Sequence, residues 1–167
     1  RVNRAGEVLR DVQWEGLEAQ VRKALSDGCR VVAVSLLNAY VNPVHERELC
    51  DWLGTLGFEK VVSCSEVSPF IKYLERTETG IVNATLAPIM DAYLDAVEAP
   101  LAENSMRIMT SAGGLVPRRR FLPVDSLLSG PAGGVMGAVM AGRRCGWGRI
   151  LTLDMGGTST DVSRWSG

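Results

Sequence analysis

The run Asp154-Met155-Gly156-Gly157-Thr158-Ser159-Thr160-Asp161 gathers residue types that can hold a phosphate. Gly156 and Gly157 permit positive φ and a close approach of backbone to an anion, while the N–H groups and hydroxyls of Thr158, Ser159 and Thr160 can donate to its oxygens. Asp154 and Asp161 would repel that phosphate unless a cation lay with them. Mg²⁺ combines carboxylates, waters and phosphate oxygens, so the two aspartates are the candidate metal and catalytic residues, acting directly or through water. The same residue types also suit a plain hairpin turn with aspartates chosen for turn chemistry, and residue types alone leave both readings open.

The elements that must position this run are readable on either side of it. Arg149 to Asp154 is expected as a strand, Met155 to Ser159 as a turn and Thr160 to Trp165 as a second strand, giving a hairpin with an acid on each side of its tip. Before it, Ser129 to Gly142 reads as a helix with Ser129 as cap and Pro131 in the first turn. Its glycines cost about 1 kcal/mol each relative to alanine, so a close crossing with a neighbour is expected to compensate. Ser129 and Gly130 could present an anion with a helix N-terminus, or form an ordinary cap. Further upstream, Met106 to Thr110 reads as a strand running into Ser111-Ala112-Gly113-Gly114, either a turn bordering a ligand or a common loop.

The first hundred residues alternate helix and strand patterns. Val2, Val8 and Leu9 around a polar Arg4-Ala5-Gly6-Glu7 stretch read as a hairpin-like start. Trp14, Leu17, Val21, Ala24 and Leu25 recur at helical spacing up to a stop at Gly28. Arg30 to Leu37 is expected as a buried strand, Asn42-Pro43 as the start of a helix ending near Leu56 and Gly57, and Lys60 to Cys64 as a second strand. That order predicts an α/β fold with a parallel sheet. Phe70 to Glu103 is mainly helical in pattern, with Pro88 kinking one helix or opening another.

Composition excludes several classes. With 18 basic and 19 acidic residues and one dense basic run, Arg118-Arg119-Arg120, the chain lacks the stripe that a nucleic-acid backbone requires. No apolar run approaches the roughly 20 residues of a membrane span and no signal core is present, so no membrane partner and a cytoplasmic location are expected. Cys29, Cys50, Cys64 and Cys145 are irregularly spaced and read as buried thiols. The first residue is not methionine and the last follows an apparent strand, so an internal piece of a longer protein is expected.

Leu128-Ser129-Gly130-Pro131-Ala132-Gly133-Gly134, followed by Asp154 to Val162, resembles the hydantoinase A / 5-oxoprolinase family. Asn42-Pro43-Val44-His45-Glu46, Ser65-Glu66-Val67, Glu75-Arg76-Thr77 and Ser111-Ala112-Gly113-Gly114-Leu115 fit the same family, so the resemblance covers nearly the whole chain. The glycine run alone is similar to the second phosphate motif of the actin, sugar-kinase and heat-shock chaperone ATPases, although Thr158 stands where chaperones usually carry a third glycine.

The resemblance implies a two-lobe, ribonuclease-H-like fold with a mixed sheet and flanking helices. Residues 1–146 would be the later part of the first lobe, with the glycine-rich connecting helix at about 130–145. Residues 147–167 would be the opening phosphate hairpin of the second, and an opposing hairpin would lie outside this sequence. The implied activity is ATP-dependent ring opening of a cyclic amide through phosphorylation of its carbonyl oxygen, with 5-oxoproline first and a hydantoin second. The cofactors implied are ATP and Mg²⁺, with a monovalent cation such as K⁺ as a further candidate. A B-type partner subunit or domain and a homo-oligomer are the expected partners. A ketone carboxylase subunit, a nucleotide-driven conformational protein or reactivase, and a small-molecule kinase are the alternatives.

Glu66, Glu75, Arg76, Gly113 and Gly114 are candidates for the substrate side, with surface ion pairing the plainer account of Glu75 and Arg76. His45, in the first turn of a helix read as a surface element, is expected to be structural. Trp14, Trp52 and Trp147 are expected in a core or interface.

Overall fold

The computed structural model describes residues 1–101 and 106–167. The chain forms two compact units, Arg1–Tyr93 and Leu94–Gly167.

In the first unit, Val2 and Val8 form an antiparallel bridge, as the hairpin-like start predicts. Helix α1 (Leu17–Ser26) begins only after Gly16, whose φ of 76° is left-handed, so Trp14 lies outside the helix that its spacing suggested. It packs edge-to-face on Trp52 instead, with ring centroids 5.1 Å apart. The expected stop holds: Gly28 has φ 97°.

Strand β1 (Val31–Val34) pairs in parallel with β2 (Lys60–Ser63), with Val31 opposite Lys60 and Val34 opposite Ser63. Both are shorter than the sequence predicts. The apolar run through Leu37 does not continue as strand because the backbone of Leu36 is taken by side chains. Its N–H donates to Glu46 Oε1 at 2.7 Å and its carbonyl accepts from Arg76 Nη2 at 2.8 Å. At the end of β2, Cys64 opens a one-turn helix, α3 (Cys64–Val67).

Between the strands lies α2 (Val44–Gly54), with Asn42 Oδ1 accepting from the Val44 N–H at 3.1 Å and Pro43 immediately before the helix. His45 and Glu46 in its first turn are buried, which corrects the surface reading of this segment. Glu46 has no exposed surface, and its carboxylate accepts from Leu36 N–H, Ser63 Oγ, Ser65 N–H and Ser65 Oγ, all at 2.7 to 2.9 Å. A carboxylate tolerates this burial because each lost water is replaced by a donor. Helix α4 (Tyr73–Glu98) runs unbroken through Pro88, so Pro88 does not open a second helix. The expected end at Glu103 lies outside the described residues. Gly80 of α4 rests on Cys64: a Cβ there would come within 2.2 Å of the sulfur.

The thiols differ from the uniform burial expected of them. Cys64 is buried and Cys50 half-buried, whereas Cys29 and Cys145 are exposed. Burial, reinforced by Glu46, pushes the Cys50 thiol up to about 12 and raises that of Cys64 as well. Since the thiolate is the reactive form, iodoacetamide at pH 8 is expected to label Cys29 and Cys145 quickly. Cys50 and Cys64 should react only on unfolding, as mass spectrometry of timed samples would read out.

The second unit opens with a hairpin of β3 (Arg107–Met109) and β4 (Leu115–Pro117), Arg107 opposite Pro117. The second strand was not foreseen, because three residues ending in proline carry no alternation signal. Gly113, at φ 79°, makes the turn. Helix α5 (Ser129–Arg144) follows two short 3₁₀ turns, and β5 (Ile150–Met155) pairs antiparallel with β6 (Thr160–Trp165). This last hairpin is the element that the sequence predicted most closely. Trp147 is 64% exposed rather than packed in a core. Among the described residues no helix is long and apolar enough to cross a membrane.

Candidate functional site

Strand alternation gives the β5–β6 hairpin two unlike faces. Ile150, Thr152 and Asp154 share one face with their partners Trp165, Ser163 and Asp161. The opposite face carries Leu151, Leu153, Met155 and Val162, all exposed. The first face meets α5. A Cβ on Gly142 would lie 2.2 Å from Ile150 Cδ1, and one on Gly134 would lie 3.9 Å from Asp154 Oδ2. Arg143 stacks 4.9 Å from the centre of the Trp165 ring, and the hydroxyls of Thr152 and Ser163 are hydrogen-bonded to each other.

The glycines of α5 thus divide by position. Gly142 allows the hairpin to lie against the helix, and a Cβ on Gly134 or Gly133 would make ordinary contact with Asp154 at 3.9 Å or Met109 at 3.6 Å, whereas Gly130 and Gly137 face open space. The expected close crossing is present at Gly142. Gly142→Ala is therefore expected to lower stability by about 1–3 kcal/mol through overpacking against Ile150. Gly137→Ala, gaining only helix propensity, should raise it by about 0.5–1 kcal/mol. Urea denaturation midpoints of the two variants would show opposite signs.

A cleft of about 370 Å³ lies between α5 and the hairpin, its walls including Pro131, Gly134, Ala138, Thr152, Asp154 and Asp161. Asp154 and Asp161 stand directly opposite each other in the ladder, and both are exposed. Like charges in that relation destabilise a strand pair. A divalent cation would reverse the sign of that interaction. Among the described residues there is no cluster of three or more histidine, cysteine or carboxylate groups. Two carboxylates with open space beside them suit Mg²⁺, which keeps most of its waters and takes further oxygens from phosphate.

The tip differs from expectation in its backbone. Neither Gly156 nor Gly157 is among the glycines with positive φ. The turn closes through Gly156 N–H donating to Ser159 O at 2.9 Å, and a Cβ on Gly156 would press on that same oxygen at 3.4 Å. Gly157 has nothing within 4 Å of a built Cβ. The glycines here leave room rather than supply a left-handed turn, and Thr158, Ser159 and Thr160 stand exposed beside them.

Ser129 is the first residue of α5 rather than its cap, and its hydroxyl donates to Ser126 O at 2.9 Å. The entrance of the helix is held by Ser111, which the sequence placed in the Ser-Ala-Gly-Gly turn without this role. Its Oγ accepts from Leu128 N–H at 2.9 Å, and its N–H and Oγ–H both donate to Asp125 O at 2.8 and 2.7 Å. Gly113, in the same turn, faces Met136 of α5, which would stand 3.2 Å from a Cβ. The Ser-Ala-Gly-Gly turn, the start of α5 and the aspartate hairpin are therefore parts of one compact unit.

Glu66, Glu75 and Arg76 belong to the other unit. Glu66 pairs with Arg47 at 2.9 Å and Glu75 with Lys72 at 3.3 Å, both in solvent. Arg76, for which a surface ion pair was one reading, is instead completely buried. Nη1 donates to the carbonyls of Phe70 and Ile71 at 2.6 and 3.4 Å, and Nη2 to those of Leu36 and Leu37 at 2.8 and 3.0 Å. The rings of Tyr40 and Tyr73 lie 5.7 and 5.6 Å from the guanidinium carbon. Sequence reasoning singled out Arg76 by its motif but missed Glu46 as a carboxylate with four donors. Glu46 stood in the run Asn42-Pro43-Val44-His45-Glu46, and the serine pair Ser63 and Ser65 was the signal for its donors.

Comparison with known proteins adds relatives to this geometry. Residues 76–167 match the family model described as hydantoinase/oxoprolinase, and residues 1–55 match the one described as hydantoinase/oxoprolinase N-terminal region. The 5-oxoprolinase of Saccharomyces cerevisiae is 37% identical over 96% of this chain, which spans only 13% of that relative's length. The crystal structure of an ATP-dependent caprolactamase from Pseudomonas jessenii matches with a TM-score of 0.83 at 29% identity, over 98% of this chain and 25% of that one. A nucleotide-free acetone carboxylase matches with a TM-score of 0.78 at 25% identity, over 99% of this chain and 25% of that one. The expected α/β fold class is borne out by both likenesses.

Proposed function

The chain belongs to the hydantoinase/oxoprolinase family, and from that premise we propose that it is part of an ATP-dependent enzyme that opens the ring of a cyclic amide. The favoured substrate is 5-oxoproline, giving glutamate, with a hydantoin second. The observation that carries the reading is the pair Asp154 and Asp161, opposed across a glycine tip and facing the small-residue side of α5.

In this reading Gly156, Gly157, Thr158, Ser159 and Thr160 receive phosphate oxygens of ATP, with Ser129 and Gly130 at the start of α5 assisting. Asp154 and Asp161 would hold Mg²⁺, which would supply positive charge beside the phosphates. The amide carbonyl oxygen attacks the terminal phosphorus as the bond to ADP breaks. Water then adds to the activated carbon and the C–N bond opens with a proton passing to nitrogen, leaving an acyl phosphate that a second water cleaves to the carboxylate and inorganic phosphate. Without this activation amide resonance would leave the ring inert. Residues 1–146 are assigned to the first lobe and 147–167 to the start of the second. Gly113 and Gly114 are assigned to the substrate side. The assignment of Glu66, Glu75 and Arg76 to that side has less support: two pair in solvent and Arg76 is spent on carbonyls.

The likeness to acetone carboxylase favours one second reading, in which the activated oxygen belongs to a ketone and carbon dioxide takes the place of water. The name of a further relative, caprolactamase subunit alpha of Pseudomonas jessenii, motivates a partner subunit. The parent enzyme, incubated with 5-oxoproline, ATP and Mg²⁺, is expected to release glutamate, ADP and phosphate in equal amounts. A stable phosphorylated small molecule would instead indicate a kinase.

A further inference from the structure

The first unit encloses a cavity of about 580 Å³, bounded by residues 1–13 on one side and by the loop after β1 with the first half of α2 on the other. Both walls are pinned. Asn38 Nδ2 donates to Val2 O at 2.9 Å and Asn42 Nδ2 to Gly6 O at 2.8 Å, tying the opening segment to the loop. The loop itself is fixed at Leu36, whose N–H and carbonyl are taken by the buried Glu46 and Arg76. Burying two charges carries a large desolvation cost, and here both act on one loop. A wall held this way does not need to order itself when a ligand arrives.

The position and lining fit a small-molecule site. The cavity lies at the carboxyl end of a parallel strand, where ligands of open α/β sheets bind, and its volume is within the range of such sites. Val12, Leu36, Ala39 and Leu49 give it an apolar lining, and His45, only 6% exposed, contributes a polar edge. His45 Nδ1 lies 3.5 Å from the main-chain nitrogen of Arg1.

We infer that this cavity binds a small, largely apolar molecule through one carbonyl or carboxylate oxygen that accepts a hydrogen bond from the His45 imidazole. The inference does not depend on the ATP-driven reaction proposed above, since none of these residues belongs to the aspartate hairpin or to α5.

His45 is the only histidine in the sequence, so its ring resonances can be followed by NMR without assignment. Titration of the chain with 2-pyrrolidinone or with isobutyrate is expected to shift them saturably, with a dissociation constant on the order of millimolar. A larger effect from the first would identify a neutral carbonyl as the preferred group, and from the second a carboxylate. Protonated pyrrolidine, a ring of similar size without oxygen, should produce no saturable shift. Leu49→Phe fills the cavity from within and Leu9→Trp from its exposed side. Either variant that keeps its unfolding temperature should weaken binding at least about tenfold. The inference is overturned if neither oxygen-bearing probe saturates, if pyrrolidine shifts the ring equally, or if a folded filling variant binds as the original chain does.

Discussion

Asp154→Asn in the parent enzyme is expected to reduce substrate-stimulated ATP hydrolysis by about 10²–10³-fold, the usual consequence of removing one group that stabilises developing charge. The change keeps shape and removes a charge. In the structure the Asp154 carboxylate faces its counterpart Asp161 across the ladder, beside Gly134, and its exposure means that no core contact is lost. The folded state should gain slightly, because a like-charge pair has been relieved. A loss of turnover with an unchanged or raised unfolding temperature is therefore the signature, and excess Mg²⁺ should restore part of the rate. If activity and stability fell together, the aspartate would be a structural turn residue. Asp161→Asn should behave in the same way.

The largest expected loss of stability is at Arg76. Replacement by alanine removes the donors from four main-chain carbonyls around a fully buried guanidinium. Breaking a buried charged network costs about 3–5 kcal/mol, which for a chain of this size lowers the unfolding temperature by roughly 10 °C. Arg76→Lys should recover little, because an ammonium cannot reproduce a planar fork that serves two loops at once. Glu46→Ala should cost a comparable amount by stranding donors from Leu36, Ser63 and Ser65. Thermal unfolding followed by circular dichroism measures all three. An Arg76→Ala chain that melted within 2 °C of the original would show that the carbonyls it serves find water instead.

These two sites also mark how far the sequence could be read. The hairpin at 150–165 was legible nearly to the residue, because alternation, a glycine tip and flanking acids are local signals. The glycine helix was legible for the same reason, down to the expectation of a close crossing that Gly142 fulfils. What composition could not carry was the backbone of the tip, where Gly156 and Gly157 avoid positive φ, and the role of Ser129, which lies inside the helix that it was expected to cap.

The errors upstream have a common physical cause. Leu36 and Leu37 look like strand by composition, yet the backbone of both is claimed by side chains distant in sequence, Glu46 and Arg76. His45 and Glu46 look like surface residues in a helix because burial of a charge depends on donors that sequence spacing does not reveal. Cys64 looks like the end of a strand, but Gly80 meets it from α4 and the chain turns there. Local periodicity predicts local structure; it is silent where a long-range hydrogen bond replaces the ladder.

The most direct test of the central claim is ATP hydrolysis by the parent enzyme, measured with Mg²⁺ in the presence and absence of 5-oxoproline or a hydantoin, beside its Asp154→Asn form. The account predicts that a cyclic amide stimulates hydrolysis in step with ring opening and that the variant loses this stimulated rate while remaining folded. Hydrolysis indifferent to every cyclic amide and ketone, or a folded Asp154→Asn enzyme with full stimulated activity, would contradict it.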